Sequence, residues 1–181
     1  MEFHDIDKKF IGVYNELNVV VFHESVCGLD MIISFVGHSV ISSSGIVKEM
    51  VKEQLRNIIG QEKAFCYLGG YGDFDRLCAC ACRELKQERV FIELVYVTPY
   101  ISLSEQEKIK SMQKVGLYDS SVYPPIENVP LRFAVLKRNE WMMSHADIVI
   151  AYVNRNYGGA YKSLLIARRK QKKIINICDI L

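Results

Sequence analysis

The sequence predicts an α/β protein built on a doubly wound parallel sheet of about five strands, in the order 3-2-1-4-5, with helices on both faces. Two observations carry this. Continuous apolar runs of strand length alternate along the chain with segments whose apolar residues recur at helical spacing. Three of the strand-like runs end in turns rich in glycine, at Gly37, at Gly69, Gly70 and Gly72, and at Gly158 and Gly159. In a doubly wound sheet the first and fourth strands flank the point where the winding reverses, and ligands bind beyond the carboxyl ends of the strands there. The three turns are therefore expected around one crevice.

Residues 31–36 are a continuous apolar run that ends in Gly37, His38 and Ser39, the pattern of a strand covered on both faces. A serine cluster at 42–44 offers an N-cap to a helix carrying Ile46, Val47, Met50, Val51, Leu55, Ile58 and Ile59 on one face. The second strand, 64–68, runs into Gly69, Gly70, Tyr71 and Gly72. Three glycines in four positions let a ligand approach the main chain, and free N–H groups at the following helix start attract phosphate. Asp73 is placed to cap that helix, whose stripe is Phe74, Leu77, Cys78, Ala81, Cys82 and Leu85. The third strand is 90–97.

Residues 101–130 break the alternation, with a helix expected around 105–114; a connection of this length reads as a lid or binding loop. Helical period returns over 131–145, a fourth strand follows at 147–153, then a helix over 160–170 and a fifth strand over 174–178. Residues 1–30 differ from the rest and are read as an N-terminal extension to a single domain over 31–181. Its one β-like run, 18–22, suits a peripheral strand or arm, and an upstream start chosen in error is the other reading.

Composition narrows the functions. Half of the 181 residues are hydrophobic and the formal net charge is only +2, so no global field recruits nucleic acid. No stretch reaches membrane-spanning length, and the short apolar run near residue 20 lacks the flanks of a secretory signal. Six cysteines without such a signal read as reduced thiols in a cytoplasmic protein. Cys80 points away from the helix face shared by Cys78 and Cys82, and no second ligand pair accompanies them, so no metal site is expected.

In the helix over 131–145 the stripe of Leu131, Ala134 and Val135 continues at Arg138 and Met142. An inward guanidinium needs acceptors. It either pairs with an internal acid, Asp73, Asp75, Asp119 or Glu127, or contacts a ligand anion, and Asn139 beside it can donate or accept. His38 either bonds ligand or satisfies its own loop. Of Tyr71, Tyr118, Tyr123 and Tyr157, all in turns, one or two are expected to stack on ligand. Trp141 is expected to pack. The basic run Arg168, Arg169, Lys170, Lys172 and Lys173 suits a helix C-terminus, where cations complement the dipole.

Arg138, Asn139, Glu140, Trp141 and Met142, then the run 147–153, then Gly158, Gly159 and Ala160, resemble the second half of the SLOG superfamily, and Gly69, Gly70, Tyr71 and Gly72 are similar to its first glycine turn. The resemblance spans residues 31–177, and the spellings look closest to the YpsA-like branch. It implies a Rossmann-like fold that binds nucleotides or nucleotide-derived ligands. The LOG enzymes of this superfamily place a catalytic glutamate after the second glycine turn, and here that position reads Leu165.

The expectation is a binding or sensing protein for a nucleotide or nucleotide sugar that needs no other cofactor. The ligand set is Gly37, His38, Ser39, Gly69, Gly70, Tyr71, Gly72, Asp73, Arg138, Asn139, Gly158, Gly159 and Ala160. Whether it is an enzyme is open, leaning against. A LOG-like N-glycosidic hydrolase would draw on Asp73, Asp75 and Arg138, and single-stranded DNA binding like that of DprA proteins is a further alternative. A small molecule is the expected partner, with nucleic acid the weaker alternative, no membrane, and a homo-oligomer left open.

Overall fold

The computed structural model describes residues 10–14, 20–24 and 31–180. β1 (Phe10–Tyr14) and β2 (Val20–Glu24) pair antiparallel as a separate two-stranded sheet. The β-like run expected at 18–22 falls in this hairpin from Val20 onward; its first two residues lie outside the described residues, as does Cys27.

The main sheet holds β3 (Met31–Gly37), β4 (Ala64–Leu68), β5 (Ile92–Val97), β6 (Ser120–Val122), β7 (Ile148–Tyr152) and β8 (Lys173–Asn176). All its pairings are parallel and the order is β6-β5-β4-β3-β7-β8. The five expected strands keep the order 3-2-1-4-5, so the reversal falls between β3 and β7. The correction is a sixth strand at the edge. β6 is three residues long and two of them are serines, so it has no hydrophobic period; pairing of Ser120 with Val95 and Val122 with Val97 creates it.

Helices α1 (Ser44–Ile59) and α2 (Gly72–Gln87) cover one face, packing on Ile33, Phe35, Cys66, Leu68 and Leu94. Helices α4 (Leu131–His145) and α5 (Gly158–Arg169) cover the other, packing on Ile32, Val36, Phe65, Tyr67 and Val95. The alternation of side chains along each strand divides the core in this way, since neighbours point to opposite faces. Every residue of the α2 stripe is buried. In α1 the inward residues are Val47, Val51, Leu55 and Ile59, while Ile46 is exposed.

Several boundaries differ from expectation. The serine cluster does not cap α1 with a hydroxyl: Ser43 adopts a left-handed conformation, φ 62° and ψ 42°, and its carbonyl accepts from Val47 N. α2 starts at Gly72, so Asp73 lies inside the first turn and caps nothing; its carboxylate binds Arg76 and the Ile41 N–H. α5 starts at Gly158, two residues early. β8 stops at Asn176 because Ile177–Asp179 turn into a 3-10 helix.

Residues 101–130 do not form a lid over the crevice. They hold α3 (Leu103–Lys114), begun by Ser102, whose Oγ accepts from Glu105 N, and then β6. α3 is tied to β5 by Glu105, which accepts from Tyr96 Oη at 2.9 Å and Thr98 Oγ1 at 3.1 Å. Among the described residues no helix is long and apolar enough to cross a membrane, and no group of three or more His, Cys, Asp or Glu gathers as metal ligands. Cys66, Cys78 and Cys82 are fully buried, and Cys66 and Cys78 have their thiol pKa values raised well above the ordinary range.

Candidate functional site

A crevice of about 470 Å³ lies beyond the carboxyl ends of the strands at the reversal point. The three turns line it together. From β3 come Gly37, His38 and Ser39; from the β4–α2 turn Gly69, Tyr71, Gly72 and Asp75; from α4 Arg138 and Asn139; from the β7–α5 turn Gly158, Gly159 and Ala160. Of the expected ligand residues, Gly70 and Asp73 do not line it. The turn needs glycine at Gly72, where φ is +85° and a Cβ would stand 2.8 Å from Ser39 Cα. The Asp73 N–H donates to Ser39 O at 2.9 Å, so this approach joins the first and second turns.

Arg138 sits at the floor, 2% exposed. Its Nη1 donates to the carbonyls of Gly69, at 2.9 Å, and Val97, at 2.5 Å, and Nε donates to Asn139 Oδ1 at 2.8 Å. No carboxylate among the described residues bonds it. Asp119 is held by Lys86 and Leu94 N, and Asp73 by Arg76. Arg138 Nη2 makes no hydrogen bond among the described residues, so one edge of a buried guanidinium is left for something else. Burial lowers the Arg138 pKa, and nearby Asp75 opposes that shift. The Tyr71 ring lies 5.3 Å from Arg138 Cζ, in cation–π range.

Asp75 is 9% exposed, and its carboxylate accepts from Gly70 N and, at 3.4 Å, from Gly69 N. Two of the turn amides expected to seat a phosphate are therefore already occupied from within the chain. Burial pushes the Asp75 carboxyl up to about 6, against the opposing pull of Arg138 and the turn amides. By contrast, no acidic residue occupies the first turn of α5, where Gly158, Gly159 and Ala160 line the crevice. That helix start keeps its N–H groups and its positive dipole end for a ligand.

His38 satisfies its own surroundings and also lines the crevice. Its Nε2 accepts from Asn154 N at 3.2 Å, its N–H donates to Tyr152 O, and its ring meets Tyr152 edge-on. These contacts lace the end of β3 to the end of β7. Among the four turn tyrosines, Tyr71 and Tyr157 line the crevice and are 52% and 66% exposed. Tyr118 packs on Tyr96, and Tyr123 is buried with Ile126 and Ala134. Trp141 stacks between Tyr67 and His145, as packing.

Sequence reasoning missed Arg155, Ser163 and the apolar wall of Phe35, Val36, Val135, Met142 and Met143. Arg155 was detectable as the cation three residues before the second glycine turn. Ser163 and Leu165 share α5, but Ser163 lines the crevice and Leu165 does not. The basic run from Arg168 to Lys173 ends α5 and begins β8, at the opposite end of the strands from the crevice, and makes no ion pair among the described residues.

No family model matches the chain, and no curated protein matches it by sequence. Solved structures do. DNA processing protein A from Helicobacter pylori, which binds single-stranded DNA, superposes with a TM-score of 0.55 at 16% identity. The match covers 81% of this chain and 64% of that one. DprA from Streptococcus pneumoniae gives 0.57 at 14%, covering 80% of this chain and 49% of the other. TM1055, a structural-genomics target, gives 0.52 at 15%, covering 80% and 72%. The chain thus spans less than two thirds of the length of either DNA-processing protein. At these identities the likeness is one of fold: the chain shares the Rossmann-like α/β fold of these proteins.

Proposed function

We propose that this protein binds a nucleotide or nucleotide-derived small molecule in the crevice, with the anionic group held by Arg138 and the start of α5. The observation that carries the reading is the free Nη2 edge of a buried arginine that lines the crevice. A buried charge held on one side by carbonyls and open on the other suits an anion, because charge-assisted bonds are the strong ones. The exposed rings of Tyr71 and Tyr157 offer stacking faces to a base, and the wall of Phe35, Val36 and Met142 suits its apolar parts. On this reading the protein is a cytoplasmic binder or sensor of the YpsA-like branch, and no further cofactor is needed.

Calorimetry against a panel of nucleoside mono- and diphosphates and ADP-ribose tests this. Micromolar binding that Arg138→Ala abolishes is expected; absence of binding across the panel, or undiminished binding by the variant, overturns it. The hydrolase alternative rests on Asp75 alone of the two candidate carboxylates, since Asp73 lies outside the crevice. It predicts free base from nucleoside monophosphates and loss of that release in Asp75→Asn, and no release removes it.

Single-stranded DNA is a second reading, supported by the fold shared with the DNA-processing proteins and by the five cations from Arg168 to Lys173. It predicts affinity that falls steeply with salt and needs that run. Salt-insensitive or absent binding sinks it.

A further inference from the structure

We propose that Asp75 makes anion binding in the crevice proton-linked: seating a ligand's phosphate on Arg138 draws one proton from solution onto the Asp75 carboxylate. This rests on the ligand reading above. Both side chains line the same cavity and both are buried. Without ligand, the Asp75 negative charge faces the Arg138 positive charge across the first glycine turn, Asp75 binding the amides of Gly69 and Gly70 and Arg138 the carbonyl of Gly69. A phosphate on the free Nη2 edge brings a second anion to the same guanidinium. A second anion on the buried guanidinium disfavours the charge of the buried carboxylate beside it, and the Asp75 pKa rises.

Among the described residues, the groups facing Asp75 supply no second cation. They are Arg138 from α4, Tyr118 from the segment before β6, and Cys78 one turn along α2. Arg155 and His38 line the crevice from other turns, Arg155 as an exposed residue and His38 accepting from Asn154 N. Burial already holds the Asp75 carboxyl near 6 before any ligand arrives, so a modest further push makes it protonate at neutral pH. The carboxylate gains the proton and becomes the neutral acid; its carbonyl oxygen still accepts from the turn.

Calorimetry tests this with two probes: sulfate, whose charge is constant between pH 6 and 8, and adenosine 5′-monophosphate. Titrations at pH 7 in buffers of different ionisation heat count the protons. The wild type is expected to take up about one proton, with sulfate affinity falling by as much as tenfold per pH unit between pH 6.5 and 8. Asp75→Asn is expected to bind without proton uptake and with a flat pH profile. Carbon-13 NMR of the Asp75 carboxyl in the wild type reports its protonation directly, so the result does not depend on a variant that misfolds. Binding without proton uptake, or uptake that persists in Asp75→Asn, overturns the proposal and leaves the ligand reading standing. No binding of either probe overturns the proposal, and the ligand reading falls with it only when the nucleoside diphosphates and ADP-ribose fail to bind as well.

Discussion

Gly69 and Arg138 are packed face to face: a Cβ on Gly69 would stand 2.6 Å from Arg138 Cζ, while the Gly69 carbonyl accepts from Nη1 at 2.9 Å. The missing side chain is therefore what allows the guanidinium to lie on the floor of the crevice. Gly69→Ala must push Arg138 out or strain the turn, and overpacking of this kind costs about 1–3 kcal/mol. Urea denaturation is expected to show that loss, together with loss of nucleotide binding. Gly159→Ala is the control, since a Cβ there meets nothing within 4 Å. Its stability is expected to stay within about 0.5 kcal/mol of wild type.

Arg138 also closes the floor from below, by satisfying two carbonyls that α4 carries it to. Arg138→Met keeps the apolar stem and removes the donors to Gly69 O and Val97 O. Leaving buried acceptors unpaired costs on the order of 1–3 kcal/mol. A destabilisation of that size by urea denaturation is expected, and a neutral or stabilised variant would show that the arginine contributes nothing to the fold and is kept for ligand alone.

The burial of Asp75 has a signature in stability against pH. Its folded pKa of about 6 lies above its ordinary value, so between pH 4 and 6 the native state binds more protons than the unfolded chain. Stability contributed by the protonated acid is complete below pH 4, falls as pH rises to 6, and is flat above. The loss is at most about 3 kcal/mol, from two pKa units. Unfolding free energies from pH 4 to 7 are expected to decline in the wild type and to lack that component in Asp75→Asn.

Much of this architecture is legible in the sequence because its signals are local. The α2 stripe and the run 64–68 appear where spacing puts them, and Arg138 turns inward in line with Ala134 and Met142, whereas Leu131, expected to begin that stripe, is exposed. What escapes is decided by contacts far along the chain. β6 exists because Ser120–Val122 meets β5, not because three residues favour a strand. Likewise, spacing offers Asp73 and Asp75 as equivalent carboxylates on the first turn of α2. Only the path of the glycine turn aims Asp75 back at its amides and leaves Asp73 with Arg76, outside the crevice.

Tyr71 holds two relationships at once, with ligand space on one side and with Arg138 on the other. Its ring stands 5.3 Å from the guanidinium, yet half of the residue is exposed. If the ring orients Arg138 and offers its outer face to a base, removing it weakens binding by about 1–3 kcal/mol, roughly five- to 150-fold. Tyr71→Ala is expected to lose affinity in that range with little change in stability, because an exposed ring contributes little to the core. Tyr71→Phe is expected to bind as wild type, since stacking needs the ring and not the hydroxyl. Tyr157→Ala separates the two jobs: Tyr157 lines the crevice from the opposite turn, whereas the aromatic ring in cation–π range of Arg138 is that of Tyr71. A loss in Tyr71→Ala that Tyr157→Ala does not share assigns the base to the first turn; equal losses assign a ligand clasped between both. Tighter binding by Tyr71→Ala would mean that the ring shields Arg138 from anions and must swing away for ligand to enter.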